Sequence, residues 1–498
     1  MASSALLILF LVPAAMTVLC LVLPRQANEI GTIVAATISF VLAITLAPAA
    51  THGVITAPPF LRVDALSEVF LLATAFLYPV TAIYTVGYFS HERGMIRRGG
   101  RDALPMFGRY SRLFYLGFNL FAWSMIAAPL VNGLALLWIA VEVTTVVSAL
   151  LVSIDRTQEA TEAAWKYVLI ASSGLGIGLL ATIILYYAGS TVIGESYDLG
   201  LAPLLQVAHK LPATPVELAF GLAVVGYGTK VGLFPVHTWL PDAHSEAPTP
   251  ISALLSGALL ATSFYAILRY YQIATAALGH AFPQNTLLIF GVLSLLLAAL
   301  YLFAQKNIKR MLAYSSVEHM GVLAIGVSFG APIALAGVLL HVLAHAAAKG
   351  TAFMGAGTLV HKFDTKEMAG MRGGIRSLPW SGPVFLVAIF SLGALPPFGM
   401  FRSEFQIVTG GVASGHGVVA AILLVLVSCA FFGLMIATTR VLFQPGPAPS
   451  LPRSEPSYWM VVPVLIGVAA LLLLGVHPPE VLQELLTRGA AELNGASS

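Results

Sequence analysis

The chain has 498 residues, of which 58% are hydrophobic and only 9% carry a formal charge. Its 25 Lys+Arg and 22 Asp+Glu compare with roughly 125 charged residues in an average soluble protein of this length. Such a surface cannot be hydrated, so water-soluble classes are excluded, and a net charge of +3 gives no reason to expect a nucleic-acid partner.

A bilayer core of about 30 Å takes about 20 apolar residues as a helix. Fourteen runs meet that length, near 5–23, 29–48, 65–87, 113–131, 132–153, 164–188, 216–236, 249–271, 284–304, 311–330, 332–360, 379–409, 416–440 and 457–476. They are continuous rather than alternating, which excludes a membrane β-barrel. No charge precedes the first run and no small-residue cleavage pattern follows it, so it is expected to remain a helix. The expected fold is all-α, a polytopic membrane protein with about 14 transmembrane helices in the lipid bilayer. Cys20 and Cys429 sit in separate apolar runs and read as buried thiols, not a disulfide.

The basic residues divide unevenly between the loops. With the N-terminus outside, the internal loops hold Arg25, Arg93, Arg97, Arg98, Arg101, Arg109, Arg112, Arg156, Lys166, Lys306, Lys309, Arg310, Lys362, Lys366, Arg372, Arg376, Arg440 and Arg453. External segments hold Arg62, Lys210 and Arg488. The excess marks the cytoplasmic side and puts both termini outside it. Lys230, Arg269, Lys349 and Arg402 fall within apolar runs or at their ends.

An ionisable group at membrane depth is costly unless paired or hydrated, which makes each one a candidate for function. Glu142 sits in the middle of the run GLALLWIAVEVTTVVSALLVS, and Lys230 in LAVVGYGTKVGLFPVHTWLPDAH among Gly226, Gly228, Gly232 and Pro235. Glycines and a proline around a lysine predict a helix that breaks within the membrane, freeing backbone groups for ions or water. Desolvation disfavours the charged form of a buried Lys or Glu, and approach of the other restores it. Such a pair suits proton loading, with a static ion pair as the alternative. The run 379–409 repeats the pattern, with Pro396, Pro397 and Gly399 just before Arg402 and Glu404. Two interrupted helices placed alike predict two inverted five-helix repeats, over 112–271 and 284–441, with breaks in helices 7 and 12. Three helices over 1–111 precede them, and a helix with its tail over 442–498 follows.

Between the breaks, His341, His345 and Lys349 in HVLAHAAAKGTAFMGAGTLVH recur every fourth residue, which puts them on one helix face. Imidazole titrates near neutral pH and can organise a water wire; a satisfied interfacial histidine is the alternative for His341. A metal site is set aside, because no Glu lies between the histidines and this run has no third ligand. Glu318 and His319, in AYSSVEHMG, are adjacent, so at most one is expected to face the interior. His237 lies seven residues after Lys230 and opens HTWLPDAHSEAPTP, where Asp242, His244 and Glu246 either gather protons or cap the next helix.

Three stretches, FPVHTWLPDAHSEAPTPISALLSG, NIKRMLAYSSVEHMG and HVLAHAAAKGTAFMGAGTLVH, resemble the signatures of the antiporter-like membrane subunits. That superfamily includes subunits of respiratory complex I, multisubunit cation/proton antiporters and energy-converting hydrogenases. The likeness runs from about residue 60 to 445, and AAWKYVLI and SSVEHMG most resemble component F of hydrogenase-4. The resemblance implies proton-translocating roles for Glu142, Lys230 and Glu404, and a polar stripe of His341, His345 and Lys349. Where relatives carry a relay lysine, this chain has Ala261, leaving Thr262, Ser263, water or the Glu318–His319 pair to bridge the gap. The expected function is proton translocation in a hydrogenase-4-like respiratory complex, through Glu142, Lys230, His237, Glu318, His319, His341, His345, Lys349 and Glu404. The chain has no CxxC cluster motif, no GxGxxG after a strand and no flavin site. It is therefore expected to hold no cofactor and to be a non-redox subunit. Its expected partners are other membrane subunits and a peripheral redox arm, such as a nickel–iron hydrogenase with iron–sulfur subunits. The alternatives are a sodium/proton antiporter subunit, a complex I subunit, a proton-coupled inorganic-carbon uptake subunit and a passive membrane scaffold.

Overall fold

The computed structural model describes residues 2–99, 103–195, 197–445 and 452–495, with side chains outside 91–107. Arg101 and the side chains of Arg93, Arg97 and Arg98 therefore lie outside the described residues. The chain opens with α1 (Ala2–Leu19) and α2 (Arg25–His52), then a short hairpin of β1 (Ile55–Ala57) and β2 (Leu61–Val63) paired antiparallel. Next come α3 (Ala65–Gly99), α4 (Ala103–Leu130), α5 (Leu134–Val152), α6 (Gln158–Ile193), α7 (Leu201–Val207) and α8 (Ala213–Val231). The middle holds α9 (Leu240–Glu246), α10 (Thr249–Leu254), a π-helical turn at Leu255–Leu259, α11 (Leu260–Leu278), α12 (Ala281–Leu302), α13 (Ile308–Ser328) and α14 (Pro332–Phe363). The chain then runs through α15 (Gly374–Ser377), α16 (Ser381–Leu392), α17 (Gly399–Ala413), α18 (Gly417–Phe443), α19 (Tyr458–Val476) and α20 (Glu480–Leu493).

Among the described residues, eleven helical spans are long and apolar enough to cross a membrane, with α10–α11 forming one of them. The other three expected spans coincide with α8, α13 and the divided pair α16–α17. These carry polar side chains inside the helix or are cut short, so length and apolarity alone do not bring the count to fourteen. α10–α11 is wrapped on all sides and α14 nearly so, whereas α1, α18 and α19 bury about a third of their residues or less. Their outward faces carry Leu11, Val18, Val418 and Trp459, the apolar belt that hydrocarbon requires.

Polar residues at the ends of the apolar runs start the helices. Asn307 accepts from the Lys309 and Arg310 amides, Thr157 from the Ala160 amide and Asp64 from the Ser67 amide, satisfying donors a helix start leaves free. Small residues then set the spacing. Gly174 and Gly178, one turn apart on α6, face Gly226 on α8, where a Cβ would come within 2.5 Å of the Gly178 nitrogen. This is the close approach that small-xxx-small patterns permit. α8 ends at Gly232, at φ +85°, whose amide and that of Leu233 both bond the Gly228 carbonyl. Such a left-handed cap favours glycine and stops the helix two residues after Lys230.

Away from the centre, Asp64 pairs with Arg62 at 2.7 Å and with Arg269 at 2.5 Å. Arg269 also donates to Ser67 and Gln272, and lies over the Tyr265 ring. Burial opposes ionisation of Asp64, but the Arg269 and Arg62 guanidiniums outweigh it and hold its carboxyl below the usual range. The C-terminal helix α20 docks on this network, with Glu492 accepting from the Ala65 and Leu66 amides at 3.4 and 3.1 Å. Burial, and then the charge of Asp64, push the Glu492 carboxyl up to about 7. Between the unfolded value of about 4.3 and 7 the folded state binds the extra proton, so stability falls as pH rises through that window. Thermal melting of the purified protein should therefore drop between pH 5 and 8, and Glu492→Gln should flatten that slope.

Candidate functional site: a buried line of ionisable side chains

Lys230 is fully buried in the last turn of α8. Its ammonium donates to the Val141 carbonyl at 3.3 Å, to Thr144 Oγ1 at 2.9 Å and to Thr145 Oγ1, all on α5. It also lies 5.6 Å from the centre of the Tyr167 ring, which stacks on Trp239. Three oxygens and an aromatic face thus solvate the charge. Glu142, on the same helix as the threonines, is half-buried and accepts from Ser172 at 3.0 Å, with its second oxygen unpartnered. It makes no direct ion pair with Lys230 within 4.0 Å, so a static contact pair is not what holds the lysine.

Lys349 repeats this arrangement on α14. It is fully buried and donates to the Leu312 carbonyl at 3.0 Å and to Ser315 Oγ, both on α13. Glu318 lies one turn after Ser315 and His319 follows it; contrary to the expectation that at most one faces the interior, both are buried. The reason is that α13 is packed on every side, by α9, α12, α14, α17 and α18, so it has no outer face.

His319 meets His341 and His345 of α14, each with ring centroids 5.3 Å away, and its Nδ1 lies 3.9 Å from Glu404 Oε1 of α17. His341 Nδ1 is 3.0 Å from Ser403 Oγ, whose hydroxyl donates to the Met400 carbonyl. Glu404 borders a cavity of about 370 Å³ with Phe401, Phe405, Leu424 and Phe431. The helix break before it spans residues 393–398, between α16 and α17.

The loop after Lys230 divides by residue. His237 and His244 are buried, with His244 between Trp239 and Phe353. Asp242 pairs with Arg310 at 2.8 Å and Lys166 at 3.4 Å, and Glu246 with Lys366 at 2.7 Å. Neither acid caps the next helix: the N-cap of α10 is Pro248, with no side-chain cap. A cavity of about 280 Å³ is lined by Asp155, Glu246, Lys309, His361, Asp364 and Lys366. Of the four basic residues at membrane depth, Arg269 belongs to the Asp64 network, and the half-buried Arg402 reaches the Gly475 carbonyl at 3.5 Å.

At Ala261, Thr262 and Ser263 return their hydroxyls to their own helix. The polar link between α13 and this span is instead the Ser256–Ser316 pair, at 2.7 Å and inside the π turn. Glu68, absent from the residues expected to carry protons, is fully buried in α3 with both carboxylate oxygens unpartnered. An acid inside the run 65–87 was the signal.

A family profile described as NADH:quinone oxidoreductase/Mrp antiporter, TM, matches residues 131–431. The chain belongs to this family. It is 34% identical over 433 residues to a hydrogenase-4 component F homolog of Methylacidiphilum infernorum, covering 86% of this chain and 88% of that protein. Among solved structures, a chain of respiratory complex I from Thermus thermophilus superposes with a TM-score of 0.76 at 26% identity, covering 96% of this chain and 98% of that one. A chain of the archaeal membrane-bound sulfane sulfur reductase shares the fold with a TM-score of 0.83 at 20% identity, covering 99% and 97%. The family's antiporter-like architecture therefore carries the buried charges described above.

Proposed function

We propose that this chain is the proton-translocating membrane subunit of a hydrogenase-4-like respiratory complex, coupling redox chemistry in partner subunits to proton transfer. One observation carries this reading. The ionisable groups Glu142, Lys230, Glu318, His319, His341, His345, Lys349 and Glu404 are gathered inside a largely apolar bundle, where each is expensive to keep. Each lysine is held by hydroxyls and a carbonyl rather than by a fixed carboxylate, so its charge answers to the distance of Glu142 or Glu318.

Protons enter at the polar cavity beside Lys309 and Glu246 and pass His237 to Lys230. They cross by way of Ser256–Ser316 and Lys349 to the histidines, and leave at Glu404. Residues 112–271 and 284–441 are read as inverted units, because α8 stops just after Lys230 and α17 starts just before Glu404. The basic loops put both termini outside the cytoplasm of a prokaryotic inner membrane, and the redox arm is read as a nickel–iron hydrogenase with iron–sulfur subunits.

The test is acidification of inverted vesicles containing the complex, driven by its own redox reaction. Proton movement that is indifferent to sodium supports the proposal, whereas a strict sodium requirement would make the chain a sodium/proton antiporter subunit. Full coupling after neutralising Glu142, Lys230 and Glu404 together would leave it a scaffold.

A further inference from the structure

The junction of α13, α14 and α17 brings the ligand atoms of three helices together, which a relay of protons alone does not explain. His319, His341 and Glu404 each offer one ligand atom, and these atoms lie within 4.8 Å of one another. Both ring nitrogens of His319 and of His345, His341 Nε2 and Glu404 Oε1 have no hydrogen-bond partner, although all four side chains are more than nine-tenths buried. Buried polar atoms are rarely left so, and here they converge from three helices. The Ser403 hydroxyl donates to the Met400 carbonyl, so its oxygen accepts from His341 Nδ1. That contact fixes the tautomer and leaves a lone pair on Nε2.

We infer that His319, His341 and Glu404, with His345 available as a fourth ligand, form a binding site for a divalent transition metal of the zinc type. Imidazole nitrogens and one carboxylate are the ligands zinc prefers, whereas calcium and magnesium take oxygen. Bonds of about 2.0–2.1 Å put tetrahedral ligand atoms about 3.3 Å apart, so side-chain rotations that draw the atoms in by about 1.5 Å complete the site. Glu404 and the neighbouring Glu318 supply two carboxylates against the charge of a dication, while Lys349 is turned to Leu312 and Ser315. The run 332–360 alone lacks this site, because it holds only two of the ligands.

Binding does not depend on the proposed function; its consequence does. On that reading the metal occupies proton-carrying groups and arrests translocation. The experiment is titration of the purified, chelator-treated complex with Co2+, whose tetrahedral visible absorption reports nitrogen and oxygen ligands. One tightly held Co2+ per chain, displaced by Zn2+, is expected. Ser403→Ala should weaken binding roughly 10–100-fold and His341→Gln should abolish the band, both in complexes that still co-purify with their partners. Absence of the band in the wild type, or titrations of both variants that match the wild type, overturns the site. A misfolded His341→Gln protein leaves Ser403→Ala to decide. In vesicles, Zn2+ should block proton movement in the wild type, with Ser403→Ala needing a correspondingly higher concentration. A wild type that binds metal and still translocates supports the site and counts against Glu404 and His341 as proton carriers.

Discussion

Lys230→Ala is expected to reduce redox-driven proton translocation in vesicles to background while electron transfer in the partner subunits continues uncoupled. An ammonium in this position costs several kcal/mol to desolvate, and three α5 oxygens and the Tyr167 ring compensate at contact distance. Removing it leaves no polar group stranded, because Thr144 Oγ1 already donates to the Val141 carbonyl at 2.6 Å and Thr145 Oγ1 to the same carbonyl at 3.3 Å. The protein should therefore fold and assemble, so that loss of translocation reports proton transfer. Lys230→Met, which fills the volume, should behave alike. Glu142→Gln keeps the Ser172 bond and removes only the charge, so it tests whether that charge controls the lysine. Undiminished translocation in Lys230→Ala would overturn the role of this residue.

The largest stability effect is expected from Asp64→Asn, at about 3–5 kcal/mol, the range for removing one partner of a buried ion pair. Asparagine still caps α3 through the Ser67 amide, so the substitution isolates the charge. It leaves Arg269, 2% exposed, with Ser67, Gln272 and the Tyr265 ring but without its adjacent carboxylate, and a guanidinium cannot escape by losing its proton. Arg269→Met should cost less, since Arg62 still pairs with Asp64 at 2.7 Å. Comparing the thermal melting of the two variants checks this order; equal melting temperatures would show that the two arginines are not the uncompensated partners.

The long apolar runs made the helices legible, and charges set among apolar neighbours pointed to Glu142, Lys230, Lys349 and Glu404. Spacing also placed His341, His345 and Lys349 on one face. What could not be read were contacts between helices far apart in sequence. Thr144, Thr145 and Ser315 look like ordinary small polar residues until Lys230 and Lys349 reach them from another helix. Glu318 and His319 cannot share an interior on a helix with one buried face, and only the enclosure of α13 on all sides makes it so. Arg269 looked functional because it is charged at depth, and its partner Asp64 lies 205 residues away.

The π turn at Leu255–Leu259 gives the central span a joint. A π turn holds more residues than an α turn, and one residue corresponds to about 100° of rotation in an α-helix. If those five residues relaxed to α-helix while Arg269 stayed locked on Asp64, the segment before them would swivel by about that angle and advance along its axis. Ser256 would then leave Ser316, opening the polar link to α13 without disturbing either lysine. The span would then act as a shaft clamped at the Arg269 end, with its swivel at the contact between α13 and the π turn.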